Sequence, residues 1–304
     1  MSDDKRNIFE ELTHLTTEQQ NPRTGGIDLA STVEIVEMMN AEDRSVADVV
    51  REAIPQIAAA AELAVASFEK GGRLLYFGAG TSGRLGVLDS AECPPTFGVE
   101  PGMVVGVIAG GRETVFLSRE GVEDDETAAH ADVKEHKVSS TDTVVGITAS
   151  RRTPYVIAAL AAARRAGAST VFLTCNPAVH ADVDVEINVV VGPEAVTGST
   201  RLKAGTAQKM VLNMISTASM IRLGKVYGNL MVDLNPASNK LEERAKGIIG
   251  LLGGIDYDRA AKVYRESGKN VKVGVVMAKK GLSKKEAEGA LARAGGFLQR
   301  ALGE

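Results

Sequence analysis

The run Gly78 to Gly86, GAGTSGRLG, is the densest concentration of usable chemistry in the sequence. It follows an apolar stretch, Arg73 to Phe77, and precedes a helical pattern. Glycines let a backbone approach a ligand closely. Main-chain amides at a helix N-terminus, together with the hydroxyls of Thr81 and Ser82, can surround a phosphate. No GK[ST] follows, so this is not a nucleotide phosphate loop, and the dinucleotide pattern with its acid about 20 residues on is also missing. A tight strand-to-helix turn that needs small residues gives the same letters.

Two further segments repeat the chemistry. ASRRTPY, Ala149 to Tyr155, sets Ser150 and Thr153 just after an apolar run, with Pro154 at the first helical position. GSTRLKAG, Gly198 to Gly205, sets Ser199, Thr200 and Lys203 ahead of a long helical pattern. A cradle of neutral hydroxyls and amides suits a sugar phosphate better than a polyanionic nucleotide, which usually needs a metal or a lysine clamp. Helix capping by each Ser or Thr separately explains any one segment, but capping does not call for clustered glycines.

The acids come next. Glu92 stands directly before CysProPro, at the end of the helix that GAGTSGRLG opens. A carboxylate there opposes the helix dipole at a cost of up to about 1 kcal/mol, which invites a functional role; a solvated glutamate at a frayed end is the plain alternative. EGVEDDE, Glu120 to Glu126, places five acids around a helix start, where negative charge is favourable, and Glu123 does not stand out from its neighbours by pattern. Cys93 and Cys175 read as small buried hydrophobes. His14, His130, His136 and His180 have no spacing for a triad or a metal, so no metal site is indicated.

These residues need a scaffold. RLLYFGAG, MVVGVIAGG, DTVVGITAS, STVFLTCN and VEINVVVG are short runs rich in Val, Ile and Leu, closed by Gly, Ser or Asn. Amphipathic stretches at 84–92, 122–135, 154–166 and 202–223 separate or follow them. The rhythm predicts an α/β fold, a five-stranded, mostly parallel sheet sandwiched by helices, with its ligand site outside the carboxyl ends of the strands. The first 30 residues read as irregular chain wrapped over something else. Helices are expected at 32–40 and 46–69, the second capped by Asp43 or Ser45. Beyond Gly224 a turn-rich stretch, KVYGNLMVDLNPASNK, leads into helices broken near Gly253, Ser267 and Ser283, the last with Ser283 as cap and Glu286 in the first turn.

The 304 residues allow one large domain with an appendage, or two domains. Hydrophobic residues at 44% and charged residues at 24% fit a globular chain and exclude a largely disordered one. A net charge of −4 provides no bulk basic field for nucleic acid or anionic membrane. The apolar runs are too short to span a bilayer, and the opening MSDDKRN has no signal-peptide core, which predicts a cytoplasmic protein.

The long ordered blocks LLYFGAGTSGRLGVLDSAECPPTFG (74–98), VVGVIAGG (104–111), RTPYVIA (152–158), TGSTRLKAGTAQKMVLNMIST (197–217) and GKVYGNLMVD (224–233) resemble the N-acetylmuramic acid 6-phosphate etherases of bacterial cell-wall recycling. TEQQNPRTGGID (17–28) and GGFLQRAL (295–302) extend the likeness over nearly the whole chain. The resemblance implies an N-terminal arm with helices over 1–57, a sugar isomerase (SIS) domain over 58–222, a connecting segment at 223–242 and a ubiquitin-associated-like helical domain over 243–304. It implies a homodimer with sites near the subunit interface and no cofactor. The reaction it implies is cleavage of the D-lactyl ether with water, by elimination and then hydration, to N-acetylglucosamine 6-phosphate and D-lactate. By position, Glu92 matches the family's acid and Glu123 its base. Gly80, Thr81, Ser82, Ser150, Thr153 and Ser199 fall in the phosphate- and sugar-binding segments, with Arg84 and Lys203 as further anion partners. Arg151 departs from the family's glycine in ASGRTPY.

The same scaffold would serve a sugar-phosphate isomerase, which also needs an enolising carboxylate and a phosphate cradle but releases no lactate. It would also serve a sugar-phosphate-sensing protein. A transcription regulator carries a DNA-binding domain ahead of the SIS domain, and the first 57 residues are too irregular and too weakly basic for one.

Overall fold

The computed structural model describes residues 15–178, 180–234 and 238–303. The first fourteen residues, with His14, and part of the turn-rich stretch near Pro236 lie outside the described residues. Two compact units divide the chain. One holds the elements up to Ser216 except Glu92–Pro101; the other holds Glu92–Pro101 and the chain from Thr217 onward.

The first unit is built on five strands, β1 (Leu74–Gly78), β2 (Val104–Ile108), β3 (Thr143–Thr148), β4 (Ser169–Thr174) and β5 (Val185–Asn188), in the spatial order β2-β1-β3-β4-β5. Every neighbouring pair is parallel, with Gly78 opposite both Ile108 and Ile147. Strands β1, β3 and β4 are buried along almost their whole length, as continuous apolar runs require when both faces are covered. Leu75, Phe77, Val144 and Phe172 pack with Ala129 and Val133 of α5 (Glu126–Glu135) and with Tyr155, Val156 and Leu160 of α6 (Pro154–Arg165). The alternate side chain Tyr76 points to the other face, where its hydroxyl donates to Asp89 at 2.8 Å on α4 (Gly80–Phe97). Asp89 also accepts from Asn213 at 2.6 Å and Ser216 at 3.0 Å on α7 (Lys203–Arg222), so one buried carboxylate joins a strand and two helices.

Among the described residues, three α-helices precede the sheet: α1 (Thr32–Asp43), capped by a Ser31–Glu34 capping box, α2 (Val46–Glu52) and α3 (Ile54–Glu69). The single helix expected over 46–69 is broken at Ala53. Pro55 carries no N–H and its ring would clash with the carbonyl one turn back, so it starts a new helix instead of continuing the old one. Ser45 does not cap: its hydroxyl donates to the Glu42 carbonyl. In contrast, α4 runs on through Cys93, Pro94 and Pro95 to Phe97 instead of stopping at Glu92. The two carbonyls deprived of partners belong to half-buried Ser90 and exposed Ala91, which limits the cost.

The second unit is helical apart from a small hairpin of β6 (Val226–Tyr227) and β7 (Leu230–Met231), closed by Gly228 at φ 57°. Two-residue strands are too short to leave a periodic signal, and a Gly-Asn turn is the feature that betrays them. Its core gathers Ile248, Ile249, Tyr264, Val275, Val276 and Leu298. These come from α8 (Asn239–Gly253), α9 (Tyr257–Glu266), α10 (Val271–Lys280) and α12 (Leu298–Leu302), with α11 (Lys284–Arg293) adding Ala287 and Leu291. Ser238, Asp256, Asn270 and Ser283 each accept a backbone N–H at the start of α8 to α11, and Ser283 and Glu286 form the full capping box.

Candidate active site

The sheet order reverses direction at β1, which has β2 on one side and β3 on the other; ligands bind at such a switch point, beyond the carboxyl ends of the strands. A cleft of about 250 Å³ opens there, within the first unit. Its floor is the β1–α4 turn. A Cβ on Gly78 would lie 2.7 Å from the Gly83 nitrogen, and one on Gly83 would lie 2.6 Å from the Gly78 oxygen, so strand and helix touch through their backbones. Gly80, at φ 54°, adopts the left-handed turn that brings Thr81 and Ser82 into the first turn of α4. The small-residue turn and the phosphate cradle are therefore the same feature.

Ser82 is buried, and its hydroxyl donates to Gln208 Oε1 on α7 at 2.9 Å. Gln208 is 1% exposed and its Nε2 has no partner, an arrangement that ordinarily costs about 1–3 kcal/mol. Gly205, nearly one turn before Gln208, packs beside Thr81; a Cβ there would meet the Thr81 methyl at 3.5 Å.

The second wall follows β3. Thr148 and Thr153 hydroxyls lie 2.7 Å apart, and Ser150 Oγ accepts from the Arg152 amide at 3.3 Å. Thr153 is the N-cap of α6 by position, yet it makes no side-chain cap bond; its hydroxyl is turned to Thr148. Arg151 has a left-handed backbone, φ 61°, and its guanidinium donates to the Pro177 carbonyl at 3.2 Å. It does not line the cleft.

The third wall follows β2. Arg84 reaches from α4 to donate to two consecutive carbonyls, Thr114 at 2.6 Å and Val115 at 2.8 Å. Thr114 is itself pinned by bonds to Ala109 and Gly111. From this braced loop Gly121, at φ 82°, turns the chain into a single 3₁₀ turn, Val122–Asp124, that presents half-buried Glu123 to the cleft.

A fourth contribution comes from the N-terminal segment. Asn176, buried after β4, accepts from Thr16 N at 2.8 Å and donates to Thr17 Oγ1 at 3.2 Å and to the Ala149 carbonyl at 2.9 Å. Asn21 and Thr24 bond the carbonyls of Pro193 and Ala195. The segment is strapped along the strand ends, and Glu18 enters the cleft.

Of the residues singled out in the sequence, Gly80, Thr81, Ser82, Arg84, Glu123, Ser150 and Thr153 line this one cleft. Ser199 does not, and its neighbour Thr200 does. Lys203 does not line the cleft: it is 1% exposed and its ammonium lies 2.6 Å from the Glu42 carboxylate, which Arg23 also bonds. A lysine this deeply buried requires a carboxylate partner, and α1 supplies one. Arg23 holds the Glu42 carboxyl down to about 2 against the opposing effect of burial, with Lys203 adding to the depression. Behind it Glu194 accepts the amides of Lys203 and Ala204 at the start of α7, and burial pushes its carboxyl up. Glu92 is exposed, about three turns beyond Thr81 on α4, and does not line the cleft. Thr200 was named with Ser199 and Lys203 in GSTRLKAG, and of those three it alone lines the cleft; sequence reasoning missed Glu18 and Glu120 as lining residues, the first in a segment that carries no secondary-structure signal.

The cleft combines hydroxyls, helix-start amides, one braced arginine and carboxylates, which can hold a phosphomonoester at one end and move a proton at the other. Relatives settle the family. Over 293 residues the chain is 50% identical to the N-acetylmuramic acid 6-phosphate etherase of Bacillus subtilis (strain 168), covering 96% of both chains. It is also 50% identical over 295 residues to that of Clostridium beijerinckii, covering 96% of this chain and 97% of the relative.

The chain belongs to the N-acetylmuramic acid 6-phosphate etherase family.

Residues 56–164 also match the family of the glucokinase regulatory protein N-terminal SIS domain, a span that runs from α3 to α6 and contains most of the cleft of this etherase-family chain. Among solved structures, phosphoheptose isomerase from Neisseria gonorrhoeae is similar at 19% identity and a TM-score of 0.48, covering 62% of this chain and 99% of that one. Among the described residues of this etherase-family chain, no helix is long and apolar enough to cross a membrane.

Proposed function

We propose that this chain cleaves the D-lactyl ether of N-acetylmuramic acid 6-phosphate with water, giving N-acetylglucosamine 6-phosphate and D-lactate. The observation that carries this reading is half identity, over nearly the full length of both chains, to relatives of that name. The cleft supports it: Thr81, Ser82, Ser150 and Thr153 receive the 6-phosphate, with Gly80 allowing close approach.

An ether is a poor leaving group, so elimination is the route. In the ring-opened sugar the aldehyde acidifies the C2 proton. Glu123 removes that proton, the C3–oxygen bond breaks, and Glu92 protonates the departing lactate oxygen. Water then adds to C3 of the unsaturated aldehyde, and C2 regains a proton. Atoms balance as substrate plus water against two products. Carboxylates in different surroundings can serve as acid and base in one reaction.

The enzyme in this reading is a homodimer with its sites near the subunit interface. Glu123 lines the cleft, and Glu92 is assigned to the cleft of the partner. The segment 58–222 acts as the sugar-phosphate domain, and 243–304 as its ubiquitin-associated-like companion. We place the enzyme in the cytoplasm, a reducing compartment that suits two buried thiols, Cys93 and Cys175. The test is a coupled D-lactate assay with N-acetylmuramic acid 6-phosphate: equimolar D-lactate and N-acetylglucosamine 6-phosphate are expected, and folded protein that releases neither overturns the reading.

A further inference from the structure

Of the four hydroxyls assigned to the phosphate, Ser82 is the most deeply buried, and its proton is already engaged. It donates to Gln208 Oε1 at 2.9 Å, while Gln208 Nε2, buried beside it, has no acceptor. A phosphate dianion offers only acceptor oxygens, so a serine that gives its proton to Gln208 presents the wrong end to it. A half-turn of the amide exchanges Oε1 for Nε2. The amide then donates to Ser82 Oγ, the orphaned N–H gains a partner, and the serine proton is released towards the cleft. The carbonyl left unpaired in its place is the more readily tolerated group.

We propose that Gln208 is a positioning residue for the substrate phosphate. Its side-chain amide turns to become the donor behind Ser82, and so converts Ser82 into a donor towards the 6-phosphate. Gln208 itself does not line the cleft and acts through Ser82 alone. The inference rests on the sugar-phosphate reading of the cleft. It assigns a role to a residue that neither the strand-end pattern nor the proposed chemistry uses, and it accounts for a buried donor with no partner.

The experiment compares Gln208→Met and Gln208→Glu in wild-type and Ser82→Ala backgrounds, by steady-state kinetics and by calorimetric binding of N-acetylglucosamine 6-phosphate. Methionine keeps the volume but cannot donate, and an ionised glutamate can only accept, so it keeps the Ser82 proton for itself. The expected result is a KM raised about tenfold by Gln208→Glu and less by Gln208→Met, with kcat within about threefold of wild type, because the phosphate is bound alike in ground and transition states. In the Ser82→Ala background either change at position 208 should move KM and Kd by no more than about twofold. Multiplicative losses in that background, or an unchanged KM in all single variants, would overturn the proposal. The binding arm keeps it separate from the etherase reading: if wild type binds the sugar phosphate but releases no D-lactate, the Kd pattern still decides the role of Gln208.

Discussion

The Lys203 ammonium lies 2.6 Å from a Glu42 carboxylate oxygen, with both side chains almost wholly withdrawn from water. The pair fastens the first residue of α7 to the last turn of α1. A lysine at the mouth of a phosphate cradle invites the reading of an anion clamp, and this contact assigns it to structure instead. Lys203→Met should therefore cost about 1–2 kcal/mol of unfolding free energy, since it removes one of the two cations on a buried carboxylate and leaves Arg23 as the other. KM should stay within about twofold of wild type. Urea melts beside steady-state kinetics check both; a large rise in KM with unchanged stability would return Lys203 to the binding site.

The same carboxylate sets an acid limit. Glu42 falls from an ordinary 4.5 to about 2 in the folded chain, chiefly through Arg23. A depressed carboxyl stabilises the fold fully above its unfolded value and loses that contribution as pH drops from 4.5 through 2. The contribution is on the order of 3 kcal/mol. Urea midpoints taken from about pH 6 down to about pH 3 should fall more steeply for wild type than for Glu42→Gln, which has no such proton to take up.

Glu92→Gln and Glu123→Gln should each lower kcat by about 10²–10⁴-fold and leave KM nearly unchanged. Shared sites give a sharper outcome. Co-expressed in equal amounts, the two inactive variants should form mixed dimers with one intact site, restoring about a quarter of wild-type activity. A mixture as inactive as its parents would show that both acids serve the same protomer.

Arg84 braces the loop that carries Glu123 by donating to two successive carbonyls. Lysine retains the charge and loses the fork. Arg84→Lys should speed hydrogen exchange across residues 112–123, lower stability by about 1–2 kcal/mol and reduce kcat by about tenfold. Unchanged exchange in that loop would mean that the arginine matters only as charge.

Arg151 occupies a left-handed backbone and turns its side chain to Pro177, away from the cleft-lining residues. Arg151→Gly relieves about 1–2 kcal/mol of backbone cost and gives back part of it as chain entropy and a lost hydrogen bond. Its stability should therefore lie within about 1 kcal/mol of wild type and its KM within about twofold. A large loss of affinity would make Arg151 a phosphate ligand.

Much of the fold was legible because buried parallel strands are written as contiguous apolar runs. All five were found within a few residues, as were the helix breaks near Gly253, Ser267 and Ser283. The cradle was legible for the same reason: GAGTSGRLG and ASRRTPY sit directly at strand ends. What sequence reading missed depends on long-range contact. Glu18 reaches the cleft only because Asn176, about 160 positions away, anchors Thr16 and Thr17. Lys203 reads as a cradle residue until Glu42, equally remote, is seen to hold it. Gln208 looks like any polar residue on a helix; its meaning lies in the one hydroxyl it faces. The break at Pro55 is written in the proline itself, against an apolar periodicity that continues through it.

The central claim is that the C3–oxygen bond of the sugar breaks by elimination and is remade with water. One reaction in ¹⁸O-water and deuterium oxide, with both products analysed by mass spectrometry, tests it most directly. The account predicts D-lactate free of solvent oxygen, and N-acetylglucosamine 6-phosphate carrying one ¹⁸O at C3 and one deuterium at C2. Solvent oxygen in the lactate, or a sugar product with no deuterium at C2, would contradict it.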